Sequence, residues 1–202
     1  MNNDRLAAIA ALTAPGMDYE IVPGEVWGRP CRMFKNAPPT MRDLYQAASS
    51  DETFLVFEDE RYTFSETNDR VAQIANILVD RFSVQKGDRV AISMRNYPEW
   101  IFAFNAATSI GAIAVAMNSL WLSEEMEFGL KDSGAKVLFA DQERLDRLGP
   151  VRESLDLEVI SVRATNKAAN TSALEDLLAG EVSTLLPDFD IDPGDPATIL
   201  YT

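Results

Sequence analysis

The chain has 202 residues, of which 47% are hydrophobic and 25% are charged, proportions that are ordinary for a folded globular domain. Its 18 Lys and Arg residues against 32 Asp and Glu residues give a net charge of −14, which argues against nucleic acid and anionic membranes as partners because both require a basic surface. There is no histidine, which excludes His-containing catalytic triads and His-ligated zinc, and the single cysteine, Cys31, excludes an internal disulfide. A reducing, cytoplasmic compartment is the simplest expectation.

Residues 1–39 are predicted to form an N-terminal helix followed by an extended lead segment. The apolar run Leu6–Leu12 favours a short helix, and Asp4 and Arg5 before it carry no net positive charge, so a signal peptide is not expected. Residues 13–39 contain five prolines and three glycines with little periodicity, which is typical of extended chain on a protein surface.

Residues 40–202 are predicted to form one α/β domain. In chain order, the first predicted elements are a helix from a capping box at Thr40–Asp43 to about Ser49, a hairpin of Thr53–Glu58 with Arg61–Phe64, a helix capped by Ser65, a strand Arg89–Met94, a helix Pro98–Ile110 ended by Gly111, and a strand Ala112–Met117. They are followed by a helix capped by Ser123 and ending near Gly134, a strand Lys136–Ala140, a helix Asp141–Leu148, a strand Leu157–Val162, a helix from a capping box at Ser172–Glu175 to Leu178, and a strand Ala197–Tyr201. Most of the strands are short apolar runs, which predicts a mostly parallel, doubly wound sheet with helices on both faces. The longest apolar run, Trp100–Met117, divides into a helix, a glycine and a strand, so no transmembrane segment is predicted.

Common nucleotide-binding motifs do not occur in this sequence. No Gly-x-Gly-x-x-Gly follows a predicted strand, and there is no Gly-x-x-x-x-Gly-Lys-Ser/Thr loop. Trp121 follows a predicted strand and a short loop, and ligands of α/β proteins bind at the carboxyl ends of strands. Trp121 is therefore a candidate for lining a substrate cleft, with packing under the next helix as the alternative.

Several stretches together resemble the adenylate-forming enzymes, the superfamily of acyl-CoA synthetases (AMP-dependent synthetases and ligases). The stretches that carry the resemblance are Arg61–Glu66 (Arg-Tyr-Thr-Phe-Ser-Glu), Lys86–Ile92 (Lys-Gly-Asp-Arg-Val-Ala-Ile), Asn96–Trp100 (Asn-Tyr-Pro-Glu-Trp), Ile110–Asn118, Leu130–Lys136 and the final Asp195–Thr202. The sequence departs from the family pattern at Thr67, where leucine is usual, and at Ala116, where proline is typical. The order and spacing of these stretches, from about Thr40 to Thr202, make the resemblance specific although each is weak alone.

The resemblance implies an activity and its cosubstrates. The family activates a carboxylic acid with ATP and Mg²⁺ to an acyl-adenylate and passes the acyl group to the thiol of coenzyme A. Asp195–Thr202 resembles the lead-in to the family's phosphate-binding loop, which makes Tyr201 and Thr202 candidates at the threshold of the ATP site. The resemblance assigns no catalytic residue and no metal ligand within this chain.

The resemblance also implies how the chain is organised. We expect residues 1–39 to be the lead helix and segment, and residues 40–202 to be the first α/β subdomain of the large N-terminal domain, truncated before the phosphate loop. The remainder of the synthetase would then be a missing packing partner, and this part alone would be inactive. Two alternatives stay open: a stand-alone, non-catalytic α/β binding module, and an adenylation domain that loads a carrier protein. A fatty acid or another hydrophobic acid is the expected substrate.

Overall fold

A computed structural model describes residues 3–166 and 170–201, which fall into two compact units. The smaller unit comprises the chain up to Thr40 together with Asp192–Gly194. It contains helix α1 (Asn3–Leu12) and an antiparallel hairpin of strands β1 (Ile21–Val26) and β2 (Arg29–Phe34).

The β1–β2 hairpin lies inside the segment that was expected to be extended. Its two-residue turn is Trp27–Gly28, and both residues have positive φ, 50° and 73°, as a type I′ turn requires. The usual sequence of this turn is Asn-Gly or Asp-Gly, so the pair Trp27–Gly28 did not indicate a hairpin. The Trp27 indole N–H donates a hydrogen bond to the Gly194 carbonyl oxygen at 2.9 Å, within the same unit.

The larger unit contains the remaining elements. In chain order they are α2 (Met41–Ala47), β3 (Thr53–Phe57), β4 (Glu60–Thr63), α3 (Phe64–Phe82), β5 (Arg89–Ser93), α4 (Pro98–Ser109), β6 (Ile113–Ala116), α5 (Ser123–Ser133), β7 (Ala135–Asp141), α6 (Gln142–Leu148), a 3₁₀ helix Gly149–Ser154, β8 (Glu158–Val162), β9 (Ser172–Ala173), α7 (Leu174–Leu178) and β10 (Thr198–Leu200). Strands β3 and β4 pair antiparallel and form the predicted early hairpin.

The main sheet confirms the predicted fold class. Within the described residues it has six strands in the order β10-β6-β5-β7-β8-β9, and every neighbouring pair is parallel. Successive side chains of a strand point to opposite faces, and the two faces are buried in separate cores. Val90 and Ile92 of β5 pack with α3 and α4, whereas Ala91 packs with α5 and α6 on the other face.

Three of the predicted helix starts were wrong in detail. Helix α3 is capped by Thr63, not Ser65: the Thr63 hydroxyl accepts from the Glu66 backbone N–H, and the Glu66 carboxylate accepts from the Thr63 N–H. Helix α7 begins after Ala173 without a side-chain cap, because Ser172 belongs to β9. These two errors arose where a strand runs directly into a helix, so that more than one hydroxyl lies near the junction.

The third wrong start is that of α5. Ser123 was predicted to be the cap, but it is the first residue of the helix, and Leu122 is the N-cap. The Ser123 hydroxyl donates instead to the Arg147 carbonyl oxygen, at 2.6 Å.

The long apolar run of the sequence folds as predicted. It forms most of α4, then a turn through Gly111 with φ 69°, and then strand β6. Among the residues that the structure describes, no helix has both the length and the apolar character needed to cross a membrane.

Candidate functional site

The carboxyl ends of the parallel strands meet at one edge of the sheet, which we call the carboxyl edge. After β5 the chain turns into α4 on one face, while after the neighbouring strands β6 and β7 it turns into α5 and α6 on the other face. The loops after β5 and after its neighbours therefore diverge, and such a switch point is where α/β sheets bind ligands.

An ion pair of the protein itself, Asp141 with Arg144, occupies this switch point. Asp141, at the end of β7, and Arg144 are only 4% and 3% exposed, and their charged groups are 3.1 Å apart. The Asp141 carboxylate also accepts the backbone N–H of Arg95, at 2.9 Å, and of Arg144, at 3.1 Å. One buried carboxylate thus fastens the loop after β5 and caps α6, which leaves it no capacity for an external ligand.

Two arginines of α6 bind the loop after β6, residues 117–122, which we call the Trp121 loop. The Arg144 guanidinium donates to the Ser119 carbonyl oxygen at 2.5 and 3.1 Å, and Arg147 donates to the same oxygen at 2.9 Å. Arg147 also donates to the Trp121 carbonyl oxygen at 3.1 Å and is paired with Glu143. These contacts fix the backbone of the loop that carries the candidate substrate residue.

The Trp121 side chain lies on α5 at a position where the helix has no side chain. A Cβ atom at Gly129 would lie 2.5 Å from Cζ3 of the Trp121 ring, so the ring fits only because residue 129 is glycine. Trp121 is partly buried against the core on that face of the sheet. The packing alternative is therefore realised in this structure, while contact of Trp121 with a substrate stays a prediction.

Trp121 and Tyr201, which were singled out separately in the sequence, lie side by side. Their ring centroids are 5.5 Å apart at an angle of 64°, and Phe128 of α5 adds a second edge contact to Tyr201 at 6.3 Å. The two candidates meet because β10 pairs with β6 in parallel, with Leu200 opposite Ala116. We call Trp121, Phe128 and Tyr201 the aromatic cluster. Thr202, the third candidate, lies outside the described residues.

The Tyr201 hydroxyl group is bound to α5. It donates to the Asp132 carboxylate at 2.8 Å and approaches the Gly129 carbonyl oxygen at 3.3 Å. Burial and the neighbouring Asp132 carboxylate raise the pKa of Tyr201 above its usual value, so the phenol stays protonated at neutral pH and acts as a donor.

A second group of charges, missed in the sequence, lies at the carboxyl end of β8. Arg163 binds the Glu60 carboxylate through two nitrogens, at 2.6 and 2.8 Å, and the Glu99 carboxylate through Nε, at 2.9 Å. Its guanidinium lies 5.2 Å from the Phe57 ring centroid and 5.1 Å from that of Tyr97. This cluster joins the β3–β4 hairpin, the start of α4 and the end of β8.

The pKa values in this cluster follow from the pairing. Hydrogen bonds from Arg163 lower the pKa of Glu60 although partial burial opposes them. Burial, and then the hydrogen bond to Glu60, raise the pKa of Tyr62 to about 12. Because every charge of the cluster has a partner, we interpret it as structural rather than catalytic.

No cluster of metal-binding side chains is found among the described residues. They contain no group of three or more Cys, Asp or Glu side chains placed to hold a metal ion. We therefore assign none of them to Mg²⁺.

The family model of AMP-binding enzymes matches residues 44–202. This chain belongs to the AMP-binding enzyme family. A 2-succinylbenzoate–CoA ligase of Bacillus velezensis is 32% identical over 148 residues, which cover 73% of this chain and 27% of that protein. The chain thus spans about a quarter of the length of that relative.

Solved structures of adenylate-forming ligases share the fold. The anthranilate–CoA ligase AuaEII with anthranoyl-AMP superposes with a TM-score of 0.74 at 24% identity, over 79% of this chain and 31% of that one. The fatty acyl-CoA synthetase of Mycobacterium tuberculosis gives a TM-score of 0.66 at 25% identity, over 80% of this chain and 32% of that one. The first of these similarities concerns the fold alone.

Proposed function

We propose that the protein containing this chain is an ATP-dependent acid–thiol ligase. In the first step a carboxylate oxygen of the acid attacks the α-phosphorus of ATP and pyrophosphate leaves. In the second step the thiol of coenzyme A attacks the acyl carbonyl, and AMP leaves with that oxygen. The observation that carries the proposal is the match of residues 44–202 to the AMP-binding enzyme family, together with the CoA ligases among its relatives.

The fold is consistent with a nucleotide site next to β10. Strand β10 runs parallel to β6, so its last residues lie at the carboxyl edge, where α/β proteins bind ligands. The sequence resemblance assigns the family's phosphate-binding loop to this same point. ATP, coenzyme A and Mg²⁺ are cosubstrates and cofactor of the proposed whole protein, and residues 1–202 alone are expected to be inactive.

We further propose a hydrophobic acid as substrate, with a fatty acid as the first choice. Relatives act, by their names, on acids as different as 2-succinylbenzoate and fatty acids. Trp121 is the proposed contact to the acid, because it is the aromatic side chain of the loop after β6 at the carboxyl edge. A cytoplasmic location is part of the proposal and rests on the single cysteine.

Acid-dependent exchange of labelled pyrophosphate into ATP tests the proposal. The complete protein would be assayed with saturated fatty acids of several lengths and with aromatic acids, and then with coenzyme A to detect the thioester. We expect exchange with at least one acid and none when the acid is omitted. Exchange without thioester would favour a carrier protein as acceptor, and no exchange with any acid would contradict the proposal.

A further inference from the structure

We propose that Tyr201 and Asp132 form a latch that holds the carboxyl end of β10 on α5 and thereby keeps Tyr201 in place beside the proposed ATP site. The latch is the hydrogen bond from the Tyr201 hydroxyl to the Asp132 carboxylate at 2.8 Å. The inference rests on the proposed function, and it makes both residues positioning residues rather than catalytic ones.

Strand β10 needs such an anchor because its own pairing is slight. It has three residues, Thr198–Leu200, and among the described strands it pairs with β6 alone. Leu200 is 68% exposed, so one face of the strand is uncovered by the described residues. Short edge strands open easily, since few ladder bonds and little burial oppose opening.

The side chains on the other face of β10 provide packing and a hydrogen bond that its short pairing with β6 does not. Ile199 and Tyr201 pack on the core beside α5, and the Tyr201 ring meets Trp121 and Phe128 edge-on. The ring contacts set where the tyrosine lies, and the hydroxyl bond adds a directional contact to a charged acceptor, which is stronger than a neutral hydrogen bond.

The carboxyl end of helix α5 is held in place by hydrogen bonds from β5. The Arg89 guanidinium donates to the Ser133 carbonyl oxygen at 2.7 Å and to the Gly134 carbonyl oxygen at 2.8 Å. Asp132 directly precedes these two residues. The Tyr201 hydroxyl thereby connects the end of β10 to α5, and through α5 to β5 at the centre of the sheet.

The test compares Tyr201→Phe, Asp132→Ala and Asp132→Asn in the complete protein. Tyr201→Phe keeps the ring and removes the hydroxyl, while Asp132→Asn keeps an acceptor oxygen. We expect the first two to lower kcat/KM for ATP in pyrophosphate exchange by about tenfold, as loss of one hydrogen bond to a charged group would. The double variant should lose no more than either single variant, and Asp132→Asn should retain most of the activity.

Tyr62→Phe is the matched control. The Tyr62 hydroxyl also donates to a carboxylate, that of Glu60, at 2.8 Å, but it lies in the β3–β4 hairpin away from β10. We expect it to leave the exchange kinetics unchanged even if its melting temperature falls as much as that of Tyr201→Phe. Equal losses of activity in the two variants would mean that stability, not positioning, is responsible, and would overturn the latch.

Hydrogen exchange separates failure of the latch from failure of the proposed function. We expect the amides of β10 that face β6, Ile199 among them, to exchange faster in Tyr201→Phe than in the unmodified protein, and not to change in Tyr62→Phe. If the unmodified protein turns over ATP and neither the kinetics nor the amides respond to Tyr201→Phe, the latch is wrong and the function stands. If no acid supports turnover, the proposed function and the positioning role both fail, while the amides still decide whether Tyr201 anchors β10.

Discussion

Replacing Gly129 by alanine tests the packing of Trp121 on α5 directly. The new Cβ would lie 2.5 Å from Cζ3 and 3.2 Å from Cη2 of the Trp121 ring. Carbon atoms in contact are separated by about 3.5–4.0 Å, so the ring would have to move by about 1 Å. The Trp121 ring also contacts the Tyr201 ring edge-on, with centroids 5.5 Å apart, and this contact restricts the movement.

The expected effect is a balance of two opposing terms. Alanine in a helix interior is more favourable than glycine by about 1 kcal/mol. Overpacking of this kind costs about 1–3 kcal/mol, so we expect Gly129→Ala to lower the free energy of unfolding by about 1 kcal/mol. In a Trp121→Ala background the clash is absent and only the helix term remains. The same substitution should then raise the free energy of unfolding by about 1 kcal/mol.

The assay is urea unfolding of the four proteins of this double-mutant cycle, followed by far-UV circular dichroism. Gly149→Ala is the control, because its Cβ would meet nothing within 4 Å. Its effect should be the same in both backgrounds. If Gly129→Ala stabilises the unmodified protein as much as it stabilises the Trp121→Ala variant, the ring does not lie on residue 129, and the geometry of the aromatic cluster is refuted.

The remaining predictions concern the two ionic clusters and are read from urea midpoints. Asp141→Ala removes the buried partner of Arg144, which then keeps only the half-exposed Glu143 carboxylate as an ion-pair partner, and should cost about 3–5 kcal/mol, whereas a loss below about 1 kcal/mol would contradict a closed pair. Arg163→Met should cost about 2–3 kcal/mol, and Arg163→Lys should recover less than half of it, because an ammonium cannot bind two carboxylates in the same fork. The pKa of Glu60 is lowered in the folded protein, so its contribution is present above the unfolded pKa of about 4.3 and lost as pH falls below it. The deficit of Arg163→Met should therefore shrink as the pH falls below about 4.3 and through the lower pKa of Glu60 in the folded protein, and a deficit independent of pH would show that Glu60 is not the partner that matters.

Among the described residues, five of the six strands of the main sheet could be predicted from the sequence because each is a short apolar run bounded by turn residues. Strand β9 has only two residues, and the sequence was interpreted there as a helix cap. Pro98 at the start of α4 and the positive φ at Gly111 after it show how single residues set such boundaries. The order of the strands could not be read in the same way, since it depends on which faces the helices cover. The neighbouring positions of Trp121 and Tyr201 follow from that order.

The ionic clusters were missed for a different reason. Arg163 contacts Glu60 and Glu99, which lie 103 and 64 residues earlier in the chain, and no local pattern indicates such pairs. Asp141 and Arg144 did carry a signal: an acidic residue directly after a buried strand, with arginine three positions later, fits an N-cap with an ion pair on the first turn. That signal reveals a cap but not that its carboxylate also binds the loop after β5.

Oxygen transfer is the most direct test of adenylate formation. The complete protein would be given an acid labelled with ¹⁸O in its carboxylate, together with ATP, Mg²⁺ and coenzyme A, and the products would be analysed by mass spectrometry. We expect one labelled oxygen in AMP and none in inorganic phosphate, because the carboxylate oxygen that attacks the α-phosphorus leaves with AMP. Label in inorganic phosphate, with ADP as the second product, would mean that the acid is activated at the γ-phosphorus, and would contradict the proposed function.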